Sequence, residues 1–591
     1  MLCCDVSGSM KTATVKLGEI TSAFENGLFG VNAEITRKLF YGGLSAQMLN
    51  NRKMYAGLGA PCGWKCDYFE YITDRKEDSL CESNYVLLRD NGTMRQISDV
   101  ISLKEGQEYE AKLWVKPVSE KATVRFGIEG KEKAFSLTKD SAKYQTVSFI
   151  FRGDGTANAT FSIIASGDIS VFEASLMPTD HFYGMRRDVV EALKYIAPTS
   201  IRFPGGCAAD HFDWRQSLKP VEFRKPMYCT SKWFLLPDTH YQDGLDVGLN
   251  EFMMLCKEVG AQPEYTVSLL LSDGSDAADI VEYCNGNKNT RFGQVRQSLG
   301  FDPFGIRLWY IGNEAYFFGG PYKENGALAA EKTRELIQAM KNTDPSIQTV
   351  IGLTWPDAFK QWNVDFIRNL NCEYEYVSYH NYIGILPDST QGINGKATCE
   401  MLETNFIDGE DIGLNFYKNE LFGDKFSDIN ICADEWNYTW GYESSNGLLF
   451  SNALQFHFFA KSADKYHIRK AQFFAPFNEG MLTVDGWNCK IESTGELFRQ
   501  LQKHKDGIIV NCQTDVPDLD ILCTKHDDGY VMSIVNRSSD PYAIQTEGVQ
   551  IVCCDQIKTG AFSFTDNDFL LTNHCEPIVS GHSVLFCILK N

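Results

Sequence analysis

The stretch GMRRDVVEALKYIAPTSIRFPGG, Gly184 to Gly206, sets a helix pattern and a strand pattern back to back. Val189, Leu193 and Ile196 recur at the spacing of one helix face, and the chain then changes to the short apolar run TSIRF before PGG ends it. The same unit repeats downstream. LNEFMMLCKEVG places Leu249, Phe252, Met253 and Cys256 at helical spacing, stops at Gly260 and leads into PEYTVSLLL. RLWYIGNE follows, and then helices near Leu328 to Lys341, Ala358 to Leu370 and Leu414 to Phe422 precede QTVIGL, YEYVSYHNY and INICADEWNY. With LQFHFFAKSAD leading to KAQFFAP, these make seven strands after residue 183, and GLFGVNAEI, Gly27 to Ile35, supplies an eighth.

Eight strands interleaved with helices predict an α/β fold, a (β/α)8 TIM barrel whose site lies at the C-terminal strand ends; an open doubly wound sheet is the alternative. The first two strands are far apart in sequence. Between them, YVLLRD, YEAKLWVKP, ATVRFGIEG and YQTVSFIF alternate in the manner of a β-sandwich. The expected organisation is an N-terminal strand over 1–26 that joins a C-terminal β-domain, the barrel start over 27–59, and an inserted sandwich over 60–180. The rest of the barrel follows over 181–484, and a C-terminal β-sandwich over 485–591. The inserted sandwich reads equally as a carbohydrate-binding module or as a spacer.

Composition narrows the function. The 591 residues carry a formal charge of −21, which disfavours nucleic acid or an anionic membrane surface as partner and suits a neutral or cationic substrate. The chain shows neither a basic, apolar leader nor an apolar run of about eighteen residues, so a cytoplasmic protein is expected. Nineteen scattered cysteines read as free thiols. Cys62, Cys66 and Cys81 are too loosely spaced, and too far from any His, to predict zinc, and no metal or cofactor is expected.

Laid side by side, the predicted strands end in polar groups at one rim. Glu34 ends the first, Arg202 and Gly205-Gly206 the second, Asn313-Glu314 the fourth, His380 and Tyr382 the sixth, and Asp434-Glu435 the seventh. A lone glutamate there is as readily an arginine partner as a catalyst. Two glutamates on strands four and seven can converge across the mouth, where glycoside hydrolysis needs one carboxyl to protonate the leaving oxygen and the other to attack or activate water. The apolar run WYI ahead of Glu314 is expected to keep that acid protonated by desolvation.

LFGVNAEI, GGLSAQMLNNR, RFPGGCAADHFDWRQSLKP, EYCNG, WYIGNE, YVSYHNY and ADEWN together resemble the family 51 glycoside hydrolases, the α-L-arabinofuranosidases. The resemblance runs from about residue 27 to 490 and implies a retaining enzyme that releases terminal arabinofuranosyl units from arabinose-containing glycans and needs no cofactor. It implies Glu314 as acid/base, Glu435 as nucleophile and Asn313 on the sugar 2-hydroxyl. Glu34 would grip the furanose hydroxyls, Cys207 and Trp214 would wall the subsite, and Tyr382 with His380 would stand beside the nucleophile. Trp487 and Asn488 would represent the loop after strand eight, and relatives of this kind often form homo-oligomers. Gln47 replaces an expected glutamate, and Ala315-Tyr316 stand where tryptophan is more usual. The competing readings are a clan relative such as an endo-β-glucanase or β-xylosidase, a binding protein without catalysis, and a metal hydrolase.

Overall fold

A computed structural model describes residues 10–55, 57–73, 84–139, 144–228, 242–353, 359–382, 412–438, 440, 446–559 and 569–591. Eight parallel strands close into a barrel: Gly30–Asn32, Ser200–Phe203, Gln262–Val267, Leu308–Ile311, Gln348–Ile351, Tyr376–Tyr382, Asn430–Asn437 and Ile468–Phe473. The last pairs with the first, Phe473 opposite Val31, so no edge is left. The predicted TIM barrel is therefore the observed one, strand for strand, and the open-sheet alternative falls.

Strand periodicity explains why these short runs are apolar on both faces. In Leu308–Ile311, Leu308 and Tyr310 point into the barrel, where they meet Val350 and Cys432, while Trp309 and Ile311 join the larger core between strands and helices. The opening helix, Arg187–Ile196, packs with Val189, Val190, Leu193 and Ile196 fully buried, and ends where Ala197 turns left-handed. Helix Asn446–Tyr466 is buried all round from Leu448 to Ala460, polar Asn452, Gln455 and His457 included, because it is held between the barrel and the C-terminal sheet.

Between the first barrel strand and helix Arg187–Ile196, strands from Lys65–Ile72 to Ile169–Pro178 form an eight-stranded antiparallel assembly with its own core. A nine-stranded sheet gathers the C-terminal strands, and Lys11–Ala23 joins it, antiparallel to Ile508–Thr514 and parallel to Tyr542–Glu547. Helix Ser493–Leu501 differs from the expectation that the barrel stops at 484. Its Leu497, Phe498 and Leu501 are fully buried, and Phe498 stacks on Trp436 at 5.8 Å, so it covers the barrel as an eighth outer helix. Described cysteines such as Cys62 and Cys66 are free thiols; Cys81, the third of the loose triplet, lies outside the described residues. Among the described residues, no helix is long and apolar enough to cross a membrane.

Candidate active site

Where the strands end at the C-terminal face, ionisable groups gather that a protein interior otherwise excludes. Arg202, fully buried, ends the second strand and organises the cluster. Its guanidinium donates to the Asn313 side-chain oxygen at 2.7 Å, pairs with Asp434 and with Glu435 Oε1 at 3.2 Å each, and lies over the Tyr310 ring at 4.4 Å. Glu435 Oε2 accepts from the Tyr382 hydroxyl at 2.9 Å.

Glu314 faces Glu435 from the fourth strand. The backbone turns left-handed at Glu314 (φ 41°) and starts the short helix Ala315–Phe318, which returns the carboxyl toward the barrel axis. His380 stands between the two glutamates, its Nδ1 2.9 Å from Glu314 Oε1 and 3.6 Å from Glu435 Oε2, and its Nε2 3.5 Å from Asp434. An oxygen of each glutamate and a nitrogen of His380 lie within 4.8 Å of one another. Such a trio has ligand-like spacing, but the positive charge it needs already comes from Arg202 and a protonated His380. Burial opposes a charge on His380; the neighbouring Glu435 and Asp434 carboxylates outweigh it and hold the imidazole well above its usual pKa.

The second strand's PGG turn makes room for the cluster. A Cβ on Gly206 would come within 2.2 Å of Glu435 Oε1, and one on Gly205 within 2.2 Å of the Glu34 Cβ. Glu34 Oε1 accepts from the Ala208 amide at 2.8 Å, and burial, with the nearby Glu435 charge, pushes its pKa up to about 8. Burial likewise raises Glu435, with Glu314 adding to it while His380 and Arg202 pull the other way. Cys207 points its thiol at Glu314 Oε2, 3.5 Å away, and accepts from the Asn313 amide at 3.2 Å.

Seven of the ten residues singled out in the sequence therefore meet here: Glu34, Cys207, Asn313, Glu314, His380, Tyr382 and Glu435. Trp214 does not join them. It opens a 3-10 helix, Trp214–Leu218, that turns its indole outward to Tyr283 and Phe292, each at 5.6 Å, while its N–H donates to Asp276. Trp487 sits at the tip of hairpin Leu482–Asp485/Asn488–Ile491 and lines a cleft of about 110 Å³ with Tyr109 and Arg186, on the side of the inserted sandwich; Asn488 is exposed. The surroundings of Glu314 also differ from the apolar strand end expected. Its carboxyl passes beyond that strand and meets the Tyr316 hydroxyl at 3.2 Å as well as His380 and Cys207. Sequence reasoning missed Tyr316 as a partner of Glu314. Gln47 lies outside this cluster: its amide donates to the Ser175 hydroxyl and accepts from the Leu49 and Leu176 amides.

The family description "Alpha-L-arabinofuranosidase 1 domain" matches residues 189–384, the second to sixth barrel strands with Asn313, Glu314, His380 and Tyr382. An intracellular exo-α-(1→5)-L-arabinofuranosidase of Acetivibrio thermocellus is 30% identical over 276 residues, 43% of this chain and 52% of its own length. Both likenesses are to α-L-arabinofuranosidases. The chain spans about half the length of the curated arabinofuranosidases it matches first. Solved α-L-arabinofuranosidase structures extend the likeness in fold to nearly the whole chain. An arabinose-bound α-L-arabinofuranosidase superposes with a TM-score of 0.74 at 15% identity, covering 98% of this chain and all of its own, and the Thermotoga maritima arabinose complex gives 0.62 at 16% with the same coverage.

Proposed function

We propose that this protein is a retaining α-L-arabinofuranosidase that releases non-reducing terminal arabinofuranosyl units from arabinose-containing glycans, with Glu435 as nucleophile and Glu314 as acid/base. The observation that carries the reading is the opposed pair itself: two carboxyls from strands four and seven, with oxygens within 4.8 Å, bridged by His380. That spacing suits direct attack by one carboxylate; inversion needs carboxyl groups roughly 6.5–9.5 Å apart to admit a water. The intracellular names of the relatives from A. thermocellus and Bacillus subtilis favour action inside the cell.

The charge balance fits the chemistry. Glu34, Glu314, Asp434 and Glu435 share the cluster with two cations, Arg202 and His380, and burial raises the Glu34 and Glu435 carboxyls. In the productive form Glu435 is ionised between Arg202 and Tyr382, and Glu314 carries a proton. Glu435 attacks the anomeric carbon as the bond to the leaving oxygen breaks, and Glu314 gives that oxygen its proton. Esterified Glu435 no longer carries charge, and Glu314, now a carboxylate, takes a proton from the water that releases the sugar with retained configuration. Asn313, fixed by Arg202, presents its amide beside the acid for a sugar hydroxyl.

The test is turnover of 4-nitrophenyl α-L-arabinofuranoside against β-glucan, with the anomer of the first product read by proton NMR. Selective turnover of the arabinoside to the retained anomer is expected, and Glu435→Ala should lower kcat/KM by roughly 1,000-fold or more. Full turnover by Glu435→Ala on every glycoside tried would refute the mechanism.

A further inference from the structure

The two oxygens of Glu314 have different neighbours. Oε1 accepts from the Tyr316 hydroxyl at 3.2 Å and lies 2.9 Å from His380 Nδ1, whereas Oε2 faces the Cys207 thiol at 3.5 Å. Tyr316 is 1% exposed and held by rings on its other side, Phe359 at 4.8 Å and Trp362 at 6.4 Å, so its hydroxyl has a fixed direction. Burial, with the Glu314 charge beside it, pushes its phenol pKa well above the usual value, and it remains an O–H donor at any working pH. His380 meets carboxylates on both sides, Glu314 at Nδ1 and Asp434 at Nε2, and as an imidazolium it donates from both nitrogens. Two donors occupy the acceptor directions of Oε1.

We propose that Tyr316 is a positioning residue that, with His380, reserves Oε2 as the proton-carrying atom of Glu314. This rests on the reading of Glu314 as the acid. As the glycosidic bond breaks, the proton passes from Oε2 to the leaving oxygen, Glu435 forms its bond to the anomeric carbon, and negative charge moves from Glu435 to Glu314. The bond from Tyr316 to Oε1 then becomes charge-assisted and strengthens as the transition state is reached. A leaving group that needs protonation gains from this; an acidic phenol, which departs unaided, gains little.

Leaving-group dependence therefore separates positioning from packing. Tyr316→Phe keeps the ring and removes only the hydroxyl, and Tyr316→Met serves as a second hydroxyl-free variant where the first does not fold. With the full chain, kcat/KM is measured on methyl and on 2,4-dinitrophenyl α-L-arabinofuranoside, and thermal melts confirm folding. The loss on the methyl glycoside is expected to exceed that on the dinitrophenyl glycoside by roughly 10- to 100-fold. Equal losses on both, or no loss on either, in a folded variant would overturn the proposal. Glu314→Gln run in parallel keeps the two readings apart: it should show the same discrimination more steeply. If it shows none, the acid assignment has failed; if it does and Tyr316→Phe does not, only the role of Tyr316 has.

Discussion

The Glu34 carboxyl accepts one hydrogen bond, from the Ala208 amide, and otherwise sits in a buried cluster with Glu435, Arg37 and Arg202 close enough to act on its charge. Burial dominates, and the carboxyl is pushed from 4.5 up to about 8. The folded protein thus holds a proton that the unfolded chain releases from about pH 4.5, so the stability Glu34 contributes is full below that value and is lost as pH rises toward 8. Glu34→Gln removes the titration while keeping an acceptor for Ala208. Its melting temperature relative to the parent should therefore rise steadily from about pH 5 to about pH 8, as read by differential scanning calorimetry in matched buffers. A difference that stays flat across that window would show that Glu34 does not titrate there.

The PGG turn that ends the second barrel strand has its constraints divided between two neighbouring glycines. Gly206 has φ −82°, which carries no left-handed strain, but an added Cβ would lie 2.2 Å from Glu435 Oε1 and 3.1 Å from the Asn313 amide. Gly205 has φ 110°, and its Cβ would meet the backbone and Cβ of Glu34. Gly206→Ala should therefore displace the nucleophile, with at least about 100-fold lower kcat/KM and a stability loss of only about 1–3 kcal/mol. Gly205→Ala should chiefly destabilise or prevent folding; urea melts and kinetics on the pair distinguish the two. Elements of this kind explain what the sequence disclosed. The barrel strands were legible because each is a short apolar run that must stop where the chain meets the polar rim, and the glutamates at those stops had to converge once the barrel closed. Trp214 stands apart from the cluster because nearness to PGGC in sequence does not fix direction, and one 3-10 turn sends its indole to Tyr283. Trp487 followed the eighth strand as expected, but the hairpin carries it toward the sandwich. The partnership of Tyr316 with Glu314 depends on a left-handed turn at Glu314, which no propensity for glutamate foretells.

At the scale of the whole molecule, the inserted sandwich has to be held against the barrel that it interrupts, and one buried cation does much of this. Arg52, 3% exposed, pairs with Glu173 on sandwich strand Ile169–Pro178 at 2.9 Å and with Asp246, just before barrel helix Leu249–Val259, at 2.8 Å. Glu173 is fully buried on a strand that is buried over most of its length, with Ile169, Val171, Ala174 and Leu176 in the sandwich core and Glu173 and Ser175 meeting Arg52 and Gln47. Neighbouring Lys53 donates to the Val221 and Arg224 carbonyls and ties the same segment to the loop after PGG. Without Arg52 the buried Glu173 and Asp246 carboxylates would lose the guanidinium that bridges them, so Arg52→Met should cost about 3–5 kcal/mol. The loss should be regional, with the sandwich separating from the barrel before the barrel core melts and one thermal transition splitting into two. Replacing all three together, Arg52→Met with Glu173→Gln and Asp246→Asn, removes the buried negative charges as well and should recover most of the loss, because the cost lies in burying those charges and not in the missing attraction. Calorimetry on the parent, single and triple variants decides this: a single variant that melts with the parent's midpoint and one transition would show that the ion triad does not hold the two bodies together.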